Sequence, residues 1–143
     1  MQKLNQSYIK SVVKKALDED LKPRGDITTN LIKFKNKKAK AQIVAKQDGI
    51  IAGLDFCKTA FKLVGKETIF ISKVKDGAKV KKNKVIAEIK AKTKTILIAE
   101  RTALNFLNHT SGIATLTNQF KQKVNKKTKI CCTRKTTPNL RLL

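Results

Sequence analysis

The sequence predicts an α+β fold: helices and antiparallel strands share one core, and the opening of an α/β pattern follows. Three observations carry this reading. Apolar residues recur at helical spacing over 4–21, 54–65 and 99–125. Short runs rich in Ile and Val, alternating or continuous, occupy 39–53, 68–74, 84–90 and 93–98, as strands do. After the last helical stretch the composition switches again. Lys129–Thr133 reads as a buried strand, and a polar cluster at its C-terminal end breaks at Pro138.

Each element follows from local chemistry. In 4–21, Leu4, Tyr8, Val12 and Ala16 form one row, with Ile9, Val13 and Leu17 beside it. Asp18, Glu19 and Asp20 lie at the end where the helix dipole disfavours acids, so the helix should end before Pro23. PRGDITT (23–29) is a loop, with Asp26 or Thr28 placed to cap a following turn. AKAQIVAKQDGIIAG (39–53) reads as two strands joined near Asp48-Gly49, a hairpin signal. LDFCKTAFKLVG (54–65) is a helix with a stop at Gly65, Cys57 and Phe61 being packing residues. The basic turn 74–84 separates the next two strands, and TKTILI (93–98) makes a further one. Residues 1–97 thus form an α+β unit of antiparallel strand pairs with two helices beside them. The long helix 99–125 follows, with a kink site at Ser111-Gly112.

Composition bounds the function. The 143 residues include 41% hydrophobic ones, enough for a core. The net charge is +23, yet only four of the 33 basic residues are arginines: Arg24, Arg101, Arg134 and Arg141. Lysine is a hydrated point charge, whereas arginine is a planar fork for carboxylate and phosphate. The pattern is a diffuse lysine coat with a few placed arginines. A small basic nucleic-acid-binding module is the alternative that the charge supports. Against it, aromatic residues are 5% of the chain, so stacking platforms are scarce. Three cysteines without CxxC spacing argue against a disulfide framework or zinc site. The N-terminus lacks the apolar core of a signal peptide, and no stretch approaches the ~18 apolar residues that cross a membrane. A cytoplasmic protein without membrane contact is expected.

The chemistry-bearing residues sit late. In CCTRKTTPNLR (131–141), Arg134, Lys135 and the hydroxyls of Thr133, Thr136 and Thr137 form an anion receptor at a strand end, where α/β folds bind ligands. Arg101, amid Ala99, Thr102 and Ala103, either makes a surface pair with Glu100 or projects into a site. His109 reads as a hydrogen-bonded structural residue rather than a base. Glu88, Glu100 and Asp76 do not form a carboxylate pair, and no phosphate loop of the GxxxxGK type is present. The hairpin-like 74–92 lacks the flanks of a biotinyl or lipoyl carrier lysine.

GDITT (25–29), ERTALNFLNHTSGIATLT (100–117) and TRKTTPNLR (133–141), in this order, resemble the quinolinate phosphoribosyltransferase family, also called nicotinate-nucleotide pyrophosphorylase (carboxylating). The resemblance implies an N-terminal α/β sandwich domain over 1–98. A linking helix and the first strand of an incomplete C-terminal α/β barrel would then occupy 99–143. It implies condensation of quinolinate with phosphoribosyl pyrophosphate and Mg²⁺, giving nicotinate mononucleotide, pyrophosphate and CO₂ in NAD biosynthesis. It implies a homodimer in which Arg101 reaches the neighbouring subunit's quinolinate site, with Thr133, Arg134 and Lys135 binding quinolinate at the barrel strand. Asn139 stands where the family usually has glycine. Residues for the phosphoribosyl donor and the metal would lie beyond this chain, which is expected to be a fragment, inactive alone. No specific nucleic-acid binding is expected.

Overall fold

The structure, a computed structural model, describes residues 4–32, 35–125, 127–131, 133 and 135. Helix α1 spans Gln6–Leu21 and starts at Asn5, whose side chain accepts from the Ser7 amide at 2.8 Å. It buries Ile9, Val13 and Leu17, one residue per turn, and ends before Pro23 as its sequence requires. Asp18 is matched locally by Lys22 at 2.9 Å. The short α2, Ile27–Leu31, is capped by Asp26. Then follow β1 Lys38–Val44, β2 Gly49–Ile50, α3 Leu54–Val64, β3 Ile69–Ser72, β4 Lys79–Val80, β5 Val85–Lys92 and α4 Thr93–Lys123.

Two antiparallel sheets result, one of order β1-β5-β3 and a small one pairing β2 with β4. The β1–β5 register places Ala39 opposite Ala91, Ala41 opposite Ile89, and Ile43 opposite Ala87. Ile43, Ala87, Ile89 and Ala91 from this face join Ile9, Val13, Phe56, Cys57, Phe61 and Leu107 in one hydrophobic cluster. Ala60, Ala87, Ala99 and Ala103 are fully buried, and such small side chains let helix and strand backbones approach closely. Helices α3 and α4 pack together and onto the sheet, and α1 lies against both. Phe56 and Phe106 stack between α3 and α4 with ring centroids 5.2 Å apart. In its C-terminal half α4 leaves Ile113, Leu116 and Phe120 exposed.

A polar seam fixes where α4 lies. The edge segment 50–53 needs partners for its backbone groups. Thr110 and Ser111 donate hydroxyls to the Ala52 carbonyl, the Ala52 amide donates to Ser111 Oγ at 3.0 Å, and the Ile50 amide donates to Thr115 Oγ1 at 2.8 Å. Gly53 meets this seam at φ 93°, and a Cβ there would collide with the Thr110 hydroxyl. Gly53 has no side chain to cap α3. Instead Asp76, from the turn before β4, accepts from the Gly53 and Leu54 amides, each at 3.1 Å.

The structure departs from the sequence reading in three places. Asp48-Gly49 does not close a hairpin between two strands of 39–53, because β1 pairs with β5 and β2 with β4. The long β5 partner outweighs the local turn signal, a register shift at Ile43/Val44 bends the chain away, and Asp48 instead accepts from Lys81 and Lys82. Residues 93–98, expected as a strand, open α4. Packing of Ile96, Ala99 and Ala103 at helical spacing overrides the strand preference of Thr and Ile there. Finally, the barrel strand expected at Lys129–Thr133 is not formed among the described residues: 129–131 and 133 have no regular structure and Ile130 is 45% exposed. A strand needs a hydrogen-bonding neighbour, and none pairs with this segment among the described residues. Ser111-Gly112 stays helical, its hydroxyl serving the seam.

Candidate functional site

The loop that follows α1 and the first turns of α4 enclose a cleft of about 210 Å³, which brings two separate sequence motifs together. Asp20 and Asp26 contribute from one side, and Leu97, Ile98 and Arg101 from the other. The local sequence explains the geometry. Pro23 and Gly25, the latter at φ 71°, turn the chain after α1. Asp26 then accepts from the Thr29 amide at 2.9 Å and from the Thr29 hydroxyl, which starts α2 and buries Thr29. These bonds, and then the Arg101 charge, hold the Asp26 carboxyl below its ordinary range.

Arg101 projects from α4 into this cleft and donates through Nη1 to Asp20 Oδ1 at 2.9 Å. The pair is asymmetric: the Asp20 side chain is 23% exposed, that of Arg101 69%. The carboxylate is therefore the inner anchor and the guanidinium the outward group. The partner is not Glu100, as a local pairing would have it. Asp20 was legible in the sequence only as an acid at the unfavourable end of a helix. That misplacement asks for a compensating cation without saying which one.

The remaining site residues are not gathered here. Thr133 and Lys135 are exposed, and the Lys135 amide donates to Thr133 Oγ1 at 3.3 Å. Neither lines the Arg101 cleft. Arg134 lies outside the described residues. His109, expected as a hydrogen-bonded structural residue, is exposed on α4. Cys57 is buried, which pushes its thiol up to about 12 and leaves it no nucleophile at neutral pH. Among the described residues no group of three His, Cys, Asp or Glu is placed to hold a metal ion. No described helix is long and apolar enough to cross a membrane.

A second cleft, about 580 Å³, opens on the sheet, where Lys38, Lys40, Lys90 and Lys92 stand beside Lys66 and Glu67. The register sets Lys38 opposite Lys92 and Lys40 opposite Lys90. Such like-charge rungs repel.

Comparison with known proteins places both motifs. Residues 26–111 match the family profile described as "Quinolinate phosphoribosyl transferase, N-terminal domain", and 113–143 match its C-terminal counterpart. A probable nicotinate-nucleotide pyrophosphorylase [carboxylating] of Methanocaldococcus jannaschii is 44% identical over 137 residues, covering 93% of this chain and 46% of the relative. The Bacillus subtilis protein of that name is 38% identical over 141 residues, covering 98% and 48%. The crystal structure of NadC from Streptococcus pyogenes superposes with TM-score 0.91 at 37% identity, over 97% of this chain and 50% of that one. This agrees with the α+β architecture. The chain spans about half the length of the curated relatives it matches.

Proposed function

The chain belongs to the quinolinate phosphoribosyl transferase family, and from that premise we propose that it serves the synthesis of nicotinate mononucleotide, pyrophosphate and CO₂ from quinolinate and phosphoribosyl pyrophosphate. The observation that carries this reading is Arg101. It sits within the matched N-terminal region, beside the GDITT loop, anchored on one arm and open to solvent on the rest.

Quinolinate is a dianion and its partner carries several phosphate charges. The ring nitrogen attacks the anomeric carbon as the bond to pyrophosphate breaks, through an oxocarbenium-like state. The resulting pyridinium nitrogen then stabilises the carbanion left on the adjacent ring carbon when its carboxylate departs as CO₂, and that carbon takes a proton from solvent to give the product. Such a reaction asks the protein to place anions and balance charge, so fixed cations suffice and no protein nucleophile is required. In this reading Arg101 receives a quinolinate carboxylate across a homodimer interface, in the neighbouring subunit's site. Thr133, Arg134 and Lys135 hold quinolinate from the barrel side. Mg²⁺ arrives with the phosphoribosyl donor. Among the described residues no three His, Cys, Asp or Glu stand together to hold it, and no step is derived through it. The cytoplasm is the proposed location.

The chain alone is expected to bind quinolinate weakly and not to turn over. An assay for nicotinate mononucleotide with the purified chain, both substrates and Mg²⁺ checks this. Turnover above background would show that this half of the family's length holds a complete site.

A further inference from the structure

We propose that Asp20 is a positioning residue: it holds the Arg101 guanidinium by one arm so that the remaining donors face an incoming carboxylate. The inference rests on the reading of Arg101 as a quinolinate contact. It concerns a residue that no motif includes.

Three features of the cleft support it. First, Asp20 has no local reason to be where it is. An acid on the last turn of α1 opposes the helix dipole, and the nearby Lys22 is already matched with Asp18. Its described partner is Arg101, 81 positions away in sequence. Second, the exposure is uneven in the direction presentation requires, with the acid sheltered and the guanidinium outward. One N–H of the five on a guanidinium is engaged, which leaves the others for a second carboxylate. Third, the other carboxylate of the cleft does not compete. Asp26 is occupied by Thr29, so it adds negative potential near Arg101 without taking its donors.

Charge bookkeeping points the same way. Two aspartates against one arginine make the cleft a poor receptor for a dianion by net charge alone. The arrangement is useful only if Asp20 stays sheltered, Asp26 stays engaged with Thr29, and the fork faces out. A free arginine would also lose rotamer freedom on binding a carboxylate, whereas one already held loses less.

The test uses the chain with ¹⁵N-labelled arginine, comparing wild type, Asp20→Asn and Asp20→Glu. In the wild type, hindered rotation should give Arg101 separate Nη signals that shift when quinolinate is added. Asp20→Asn should merge those signals and raise the quinolinate Kd about fivefold, the share of rotamers no longer competent to bind. Asp20→Glu should restore part of both, and melting temperature should stay nearly constant because the guanidinium end of the pair is open to solvent. Unchanged Arg101 signals in Asp20→Asn, or equal quinolinate affinity in the two proteins, overturns the proposal. If Asp20→Asn frees the guanidinium but quinolinate at saturating concentration never perturbs Arg101 even in the wild type, Asp20 stands as the residue that holds Arg101 and the reading of Arg101 as a quinolinate contact within this chain falls.

Discussion

The two clefts invert each other electrostatically. The larger, on the sheet, gathers five lysines and one glutamate, and its cross-strand rungs set like charges face to face. The smaller sets a single arginine against two aspartates, each already assigned a partner. By charge density the first is the stronger anion attractor. In placement the second differs, because its one cation has a fixed anchor and a free edge. A net charge of +23 therefore does not by itself say where an anion would be gripped. Flexible lysines give a field, which salt screens. A held fork gives a geometry.

Substitutions can break or sharpen this contrast. The largest expected effect is that of Arg101→Lys, which keeps the charge and removes the fork. In an assembly that turns over, it should cost about 2–5 kcal/mol in kcat/KM for quinolinate, as loss of a desolvated charge contact does. Lys40→Gln, by comparison, should leave that parameter unchanged. Equal effects of the two would erase the distinction between field and fork.

Next comes the seam that sets the course of α4, and with it the place of Arg101. Gly53→Ala forces an L-residue into a left-handed backbone and into the Thr110 hydroxyl. A loss of roughly 2 kcal/mol by urea unfolding is expected. A loss below about 0.5 kcal/mol would mean the seam yields easily.

Asp26 links the cleft to acid stability. Its folded pKa lies below the unfolded value near 3.8, so the stabilisation is present above that value. It is lost as pH falls through the folded pKa. Stability measured from neutral pH down to acid should thus decline less steeply in Asp26→Asn than in the wild type. An identical slope would remove Asp26 from the balance. At neutral pH, Asp26→Ala should cost about 1 kcal/mol through the lost cap.

The smallest effect is of opposite sign. Lys40→Glu relieves one like-charge rung with Lys90 and should stabilise the chain by about 0.2–1 kcal/mol at low salt. Destabilisation would show that the lysine face is not a repulsive surface.

What the sequence by itself determined is local. The end of α1 before Pro23, the Asp26 cap, and α3 with its stop at Gly65 each depend on residues a few positions apart. So does the alternation that buries Ile89 and leaves Lys90 in water. Arg101, Thr133, Arg134 and Lys135 were legible through their motifs, and the roles of all four rest on the resemblance. Only the tertiary structure decided the rest. The partner of β1 lies more than forty residues away, so the Asp48-Gly49 signal lost to β5, and 93–98 became helix once Ile96 packed on the core with Ala99 and Ala103. Ser111 reads as a kink site until Ala52 lies beside it. Asp20 reads as a misplaced acid until α4 crosses the end of α1 and brings Arg101 within 2.9 Å. A side chain's propensity is set by its own backbone and is visible in the chain. Its partner is set by where packing brings a distant segment, and that is fixed only when the core closes.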